Sequence, residues 1–144
     1  MPYRHVLVAY DGTARADAAL KAGERIARDA GAQLTVAAVV ELASGCRSCG
    51  ASRGCGITTG DWNRIMREYA WEELLHARTQ LGVPARLEIL CGAPRRALTD
   101  GARELGCDAI VLPARRGAVA RLLARGRAPR AVTRRAHCAV LQLR

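Results

Sequence analysis

Arg4-His-Val-Leu-Val-Ala-Tyr10, followed at once by Asp11-Gly12-Thr13, is the stretch on which the fold turns. From His5 to Tyr10 the run is apolar without alternation, which suits a strand covered on both faces rather than wetted on one. Asp11-Gly12 is turn chemistry, and Thr13 can accept a backbone N–H as a helix N-cap. Along 14–30, Ala18, Ala19, Ala22, Ile26 and Ala30 recur at helical spacing and are expected to face the core, with Gly31 as the stop. Leu34 to Val40 reads as a second buried strand. A strand, a turn, a helix and another strand make a crossover unit, and such units build parallel sheets.

The pattern repeats outward from there. Asp61 is expected to cap a helix running to about Leu81, which Gly82-Val83-Pro84 ends. Arg86 to Cys91 is a third strand, and Pro94 sits near the start of a third helix that stops at Gly106. Asp108 to Leu112 is a fourth strand. A last helix over about 128–136 leads into a short terminal strand, Cys138 to Leu143. The order βαβαβαβαβ predicts an α/β fold with three layers: a doubly wound, five-stranded parallel sheet between helices, as one domain over residues 1–144. The interruption is a Cys/Gly-rich loop at about 42–60, long enough to suggest a function of its own.

Composition bounds the reading. A chain of 144 residues, half of them apolar, can bury a sufficient core without disulfides or metal. It has no Phe, two Trp and three Tyr, so the core must come from Ala, Val, Leu and Ile. No apolar run is long enough for a signal peptide or a membrane span, so the expected compartment is the cytoplasm and the six cysteines are expected as thiols or metal ligands. Net charge is +10, unevenly spread: residues 1–108 hold 14 bases against 13 acids, whereas 109–144 hold nine bases and no acid. Arg115, Arg116, Arg121, Arg125, Arg127, Arg130, Arg134 and Arg135 make up most of that excess. The loop after a fourth strand leaves the carboxyl edge of such a sheet near the switch point where ligands bind, so the cluster reads as an anion site or as a solvated basic surface. Neither a helix-turn-helix nor an aromatic stacking platform accompanies the charge, which argues against nucleic acid.

Both ends of the chain resemble the universal stress protein family. Val6-Leu-Val-Ala-Tyr-Asp11-Gly12-Thr13 is similar to its first strand and turn, Cys107-Asp108-Ala-Ile-Val-Leu112 to its fourth strand, and Ala131-Val132 to His137-Cys138-Ala-Val-Leu141 to its closing stretch. The resemblance implies a Rossmann-like sheet in the order 3-2-1-4-5 and a stress-response module that dimerises through the last strand. It also implies ATP binding in some members, through Gly-x-x-Gly, nine residues, then Gly-Ser or Gly-Thr. On that pattern the phosphate positions are Pro113, Arg116, Gly126 and Arg127, of which only Gly126 is retained. Proline removes an amide donor and Arg127 replaces the hydroxyl, so the nucleotide loop is degenerate. Gly117 could serve if the loop shifts by one residue, and Arg115 and Arg116 could hold a nucleotide or another anionic small molecule by charge. Asp11, with Gly12 beside it, matches the family's ribose-side acid, and Val39 or Val40 its adenine-side position.

Cys46-x-x-Cys49-x5-Cys55 is not explained by the resemblance. A Cys-x-x-Cys pair on a Gly/Ser-rich loop can chelate zinc or an iron–sulfur cluster, form a reversible disulfide, or bind nothing. Cys91, expected at the carboxyl end of the neighbouring strand, is the candidate fourth ligand, ahead of His76. Cys107 and Cys138, at the opposite edge, read as core residues. Nothing assembles a catalytic constellation: His5, His76 and His137 are expected to lie apart, and Glu72-Glu73 reads as a solvated pair on one helix. Trp62, Tyr69 and Trp71 read as packing or interface residues. Slow ATP hydrolysis is conceivable, with no base to nominate.

Overall fold

A computed structural model of the chain describes residues 3–41, 59–113 and 138–143. The elements run β1 (His5–Ala9), α1 (Ala14–Ala30), β2 (Gln33–Val40), α2 (Thr59–Thr79), β3 (Arg86–Cys91), α3 (Pro94–Leu105), β4 (Ala109–Leu112) and β5 (Ala139–Gln142). All strand pairs are parallel, and the sheet order is β3-β2-β1-β4-β5. The expected helix at 128–136 and most of the loop at 42–60 lie outside the described residues. Among the described residues, no helix is long and apolar enough to cross a membrane.

The unbroken apolar reading of β1 has a direct structural cause. Val6, Val8 and Tyr10 face a core shared with α1 and α2, whereas Leu7 and Ala9 face a second core shared with α3. Both sides of the strand are dry, so no polar alternation survives. The two cores are built almost wholly from Ala, Val, Leu and Ile, as the composition demands.

The buried face of α1 differs from the expected one. Ala16, Ala19, Leu20, Gly23 and Ala27 are buried, whereas Ala18 is exposed and Ala22, Ile26 and Ala30 are only half-covered. The stripe is turned because the smallest residues, not the apolar ones as a class, set where the helix touches β1. A Cβ at Gly23 would lie 2.2 Å from Val8 Cγ2.

Helix α2 begins two residues before Asp61, which therefore stands in the first turn rather than at the N-cap. An acid there still favours the positive end of the helix dipole. The helix ends at Thr79, two residues short of the expected Leu81. Gln80 to Gly82 are then stapled to α1: Gln80 Nε2 donates to Asp17 Oδ1 (3.2 Å), Lys21 Nζ to the Gln80 carbonyl (2.6 Å), and the Gly82 amide to Glu24 Oε1 (3.0 Å). These bonds set the position of α2 relative to α1.

The amino edge is latched by Asp108, just before β4. Its two carboxylate oxygens accept the amides of Arg4 (2.8 Å) and His5 (3.0 Å), and its own amide donates to the His5 carbonyl (2.9 Å). His5 is buried with Nε2 2.6 Å from Thr35 Oγ1, which makes it a satisfied core histidine.

Candidate functional site

The register places the carboxyl ends of β1 and β4 side by side. Val8 is level with Val111, so two residues further on Tyr10 is level with Pro113. The chain goes from β1 towards β2 on one side and β4 lies on the other, so this is the switch point where doubly wound sheets open a crevice.

The floor of that crevice is the β1–α1 turn. Asp11 Oδ1 accepts the Thr13 amide (3.1 Å) and the Thr13 hydroxyl (2.6 Å). Thr13 Oγ1 in turn accepts the Ala16 amide (3.2 Å), which is the expected N-cap. Gly12 has φ +80°, a left-handed conformation that glycine adopts without steric cost. Arg15, in the first turn of α1, has a buried Nη1 with no hydrogen-bond partner among the described residues.

Under the turn, the buried Tyr10 hydroxyl donates to Asp17 Oδ1 (2.7 Å). Burial, the bond to Asp17 and its charge push the phenol well above its ordinary value, so Tyr10 stays neutral and acts as a structural donor. The Tyr10 amide continues the ladder to the Ala37 carbonyl (2.8 Å).

One residue overturns its reading. Glu73 does not share a solvated face with Glu72: it is half-buried and reaches over the turn, where a Cβ on Gly12 would be 3.1 Å from Glu73 Oε1. Burial first, and then the charge of Asp11, raise its carboxyl to about 7. The sequence did hold a signal: Glu73 is three residues after Ala70 and four before Ala77, both buried, which puts it on the flank of the covered face.

The other expected site residues divide in two. Asp11 and Gly12 follow Tyr10, which the register sets level with Pro113, and Val40 is buried at the end of β2 with its carbonyl accepting the Gly92 amide (3.0 Å). Arg115, Arg116, Gly117, Gly126 and Arg127 lie outside the described residues.

Cys91 is exposed and level with Val40, at the place expected from the topology, whereas Cys46, Cys49 and Cys55 lie outside the described residues. Among the described residues no group of three or more His, Cys, Asp or Glu could hold a metal. Cys107 is buried, and burial, with Cys138 and Asp108 nearby, raises its thiol to about 12, which leaves it unreactive. His76 is exposed on α2, and Trp62, Ile65, Tyr69 and Trp71 are exposed along the same helix.

A model of the universal stress protein family matches residues 2–144. Among solved structures, a protein of that family from Burkholderia pseudomallei is 27% identical, with a TM-score of 0.69 and coverage of 98% of this chain and 96% of that one. A universal stress protein in complex with cAMP is 23% identical (TM-score 0.65; 99% and 98% covered). The universal stress protein from Archaeoglobus fulgidus in complex with dAMP is 24% identical (TM-score 0.64; 100% of both chains). No curated protein matches the chain.

Proposed function

Because the chain belongs to the universal stress protein family, we propose that it is a dimeric, non-catalytic stress-response module that binds an adenine nucleotide in the crevice beside Asp11. The observation that carries this reading is the Asp11–Thr13 turn, built and capped at the β1–β4 switch point where ligands enter such sheets. Two features support it. The buried Nη1 of Arg15, unpartnered among the described residues, is a positive group in want of an acceptor one residue into α1. Structures that share this fold include complexes with cAMP and dAMP.

The degenerate phosphate loop gives this binding its particular form. Pro113 offers no amide, so the phosphates, ATP's included, are held by guanidinium groups, with Arg116 and Arg127 standing where the family has glycine and a hydroxyl. Dimerisation is assigned to β5, an edge strand whose unpaired backbone groups would otherwise face water. Calorimetric titration with Mg-ATP, AMP and cAMP tests the reading. Saturable micromolar binding that Arg116→Ala or Arg127→Ala weakens at least ten-fold would support it, and no heat with any of the three at high protein concentration would overturn it.

A second reading comes from the cysteines. We infer, as that second reading, that Cys46, Cys49 and Cys55 form a thiolate site or redox pair with Cys91; the exposure of the Cys91 thiol at the end of β3, level with Val40, supports it. Metal content and thiol titration of anaerobically purified protein test it directly.

A further inference from the structure

We propose that Glu73 is a proton-controlled selectivity residue of the nucleotide crevice, neutral when an anionic ligand enters and repelling it when ionised. The inference rests on the nucleotide reading above and adds to it the element that regulates occupancy.

Three observations converge on this side chain. The carboxyl lies over Gly12, close enough that a single added carbon there would touch it at 3.1 Å, so it stands at the wall of the site. Its neighbour in that wall is Asp11, whose Oδ1 is already committed to Thr13. Among the described residues, no donor hydrogen-bonds to Glu73 and no cation pairs with it, although it is half-buried.

A half-buried carboxylate beside a second carboxylate, with no donor of its own, is a costly arrangement. Taking up a proton removes the charge and turns one oxygen into a hydrogen-bond donor. Among the described residues no group around it pairs with its charge; Arg15, in the first turn of α1, carries a buried Nη1 that makes no bond to it. From β1 and its turn the groups around it are Tyr10, held neutral, and Asp11; beyond them on α1 lies Asp17, whose Oδ1 accepts from Tyr10 and Gln80. Helix α2 otherwise packs on β2 and β3, whose ends carry the exposed Glu41 and Cys91. On α2 itself the nearest are Glu72 and His76, both exposed. Asp11 is the one whose charge bears on Glu73, and it acts to keep the proton on.

An anionic ligand entering beside Asp11 brings a further negative charge, so its binding should draw a proton onto Glu73. Affinity then falls as pH rises through neutrality. Screened as in water, a like charge ~4 Å away weakens binding by about five-fold.

The test uses cAMP, whose phosphodiester keeps one charge throughout, titrated into the full chain at pH 6 and pH 8. With a midpoint near 7 and a five-fold limit, the expected result is about three-fold tighter binding at pH 6 than at pH 8, and similar affinity at both values for Glu73→Gln. The Glu73 side-chain carboxyl is followed in parallel by carbon NMR. Its midpoint is expected near 7 in the free protein and should move upward when cAMP is added. A midpoint in the ordinary glutamate range overturns the inference whatever binds. Binding that does not change between pH 6 and 8, or a pH dependence kept in Glu73→Gln, overturns it while leaving the nucleotide reading intact. No binding of cAMP at either pH overturns the inference, and it overturns the nucleotide reading as well if Mg-ATP and AMP also give no heat.

Discussion

Substituting Gly23 by alanine tests whether the approach of α1 to β1 is what places the turn. In an exposed helix interior this change stabilises by about 1 kcal/mol, because alanine has less backbone freedom to lose. Here the new Cβ would lie 2.2 Å from Val8 Cγ2, against the ~3.5–4 Å that two carbons need. The helix or the valine must therefore give by roughly 1.5 Å. Val8 is fully buried on the central strand, paired with β2 on one side and β4 on the other, so it has little room to move. Overpacking of this kind costs about 1–3 kcal/mol, which exceeds the propensity gain at most of its range. An approach as close as 2.2 Å to a fully buried neighbour puts the cost in the upper part of that range, about 2–3 kcal/mol, so the net loss is about 1–2 kcal/mol, a fall in Tm of roughly 3–8 °C for a chain of this size. Thermal and urea denaturation measure it. Combining Gly23→Ala with Val8→Ala removes the opposing methyl, so the double variant should lose at least about 1 kcal/mol less than the sum of the single changes. A Gly23→Ala protein as stable as the wild type, or more so, would refute the argument that this contact sets the helix position.

The remaining predictions concern the latch, the cap and the raised carboxyl. Asp108→Ala leaves the Arg4 and His5 amides without their acceptors and should cost about 1 kcal/mol, given the partial exposure of the pair. Burial alone would raise the Asp108 carboxyl, but these amides outweigh it and hold it below its usual value. Its contribution is therefore present above the ordinary aspartate range and lost as pH falls through the lower folded value, so the gap between wild type and Asp108→Asn should narrow in acid melts. Thr13→Ala removes both the cap on Ala16 and the hydroxyl that Asp11 accepts, and should cost about 1 kcal/mol, with Thr13→Ser restoring most of it in the same melts. Glu73, raised from an ordinary 4.5 to about 7, has the opposite sign to Asp108: wild-type stability falls as pH rises across that window. Discounted for partial exposure, the loss is about 1–2 kcal/mol, and Glu73→Gln, measured against wild type from pH 4 to 8, should not show it.

Much of the architecture was legible along the chain, because its signals are local. Dry strands on both faces write themselves as runs such as Val6–Tyr10, helix starts as the cap Thr13 and the first-turn Pro94, and helix stops as Gly31 and Gly106. Strand and helix order then limits the topology to a parallel sheet, and β3 at Arg86–Cys91 falls where the sequence places it. The Asp11 turn was visible for the same reason: its hydrogen bonds span only a few residues.

What the tertiary structure decided are contacts between distant segments. The buried stripe of α1 followed from a steric fit between Gly23 and Val8, which periodicity alone put on a neighbouring face. Asp108, which the sequence marks only as the start of the fourth strand, became a latch only when β4 lay beside β1. Glu73 is 62 positions from Asp11 and reads as half of a surface pair until α2 is stapled to α1 through Gln80 and Gly82. A carboxyl's charge depends on the solvent it loses and the charges it meets, and both are set by packing rather than by its neighbours in the chain.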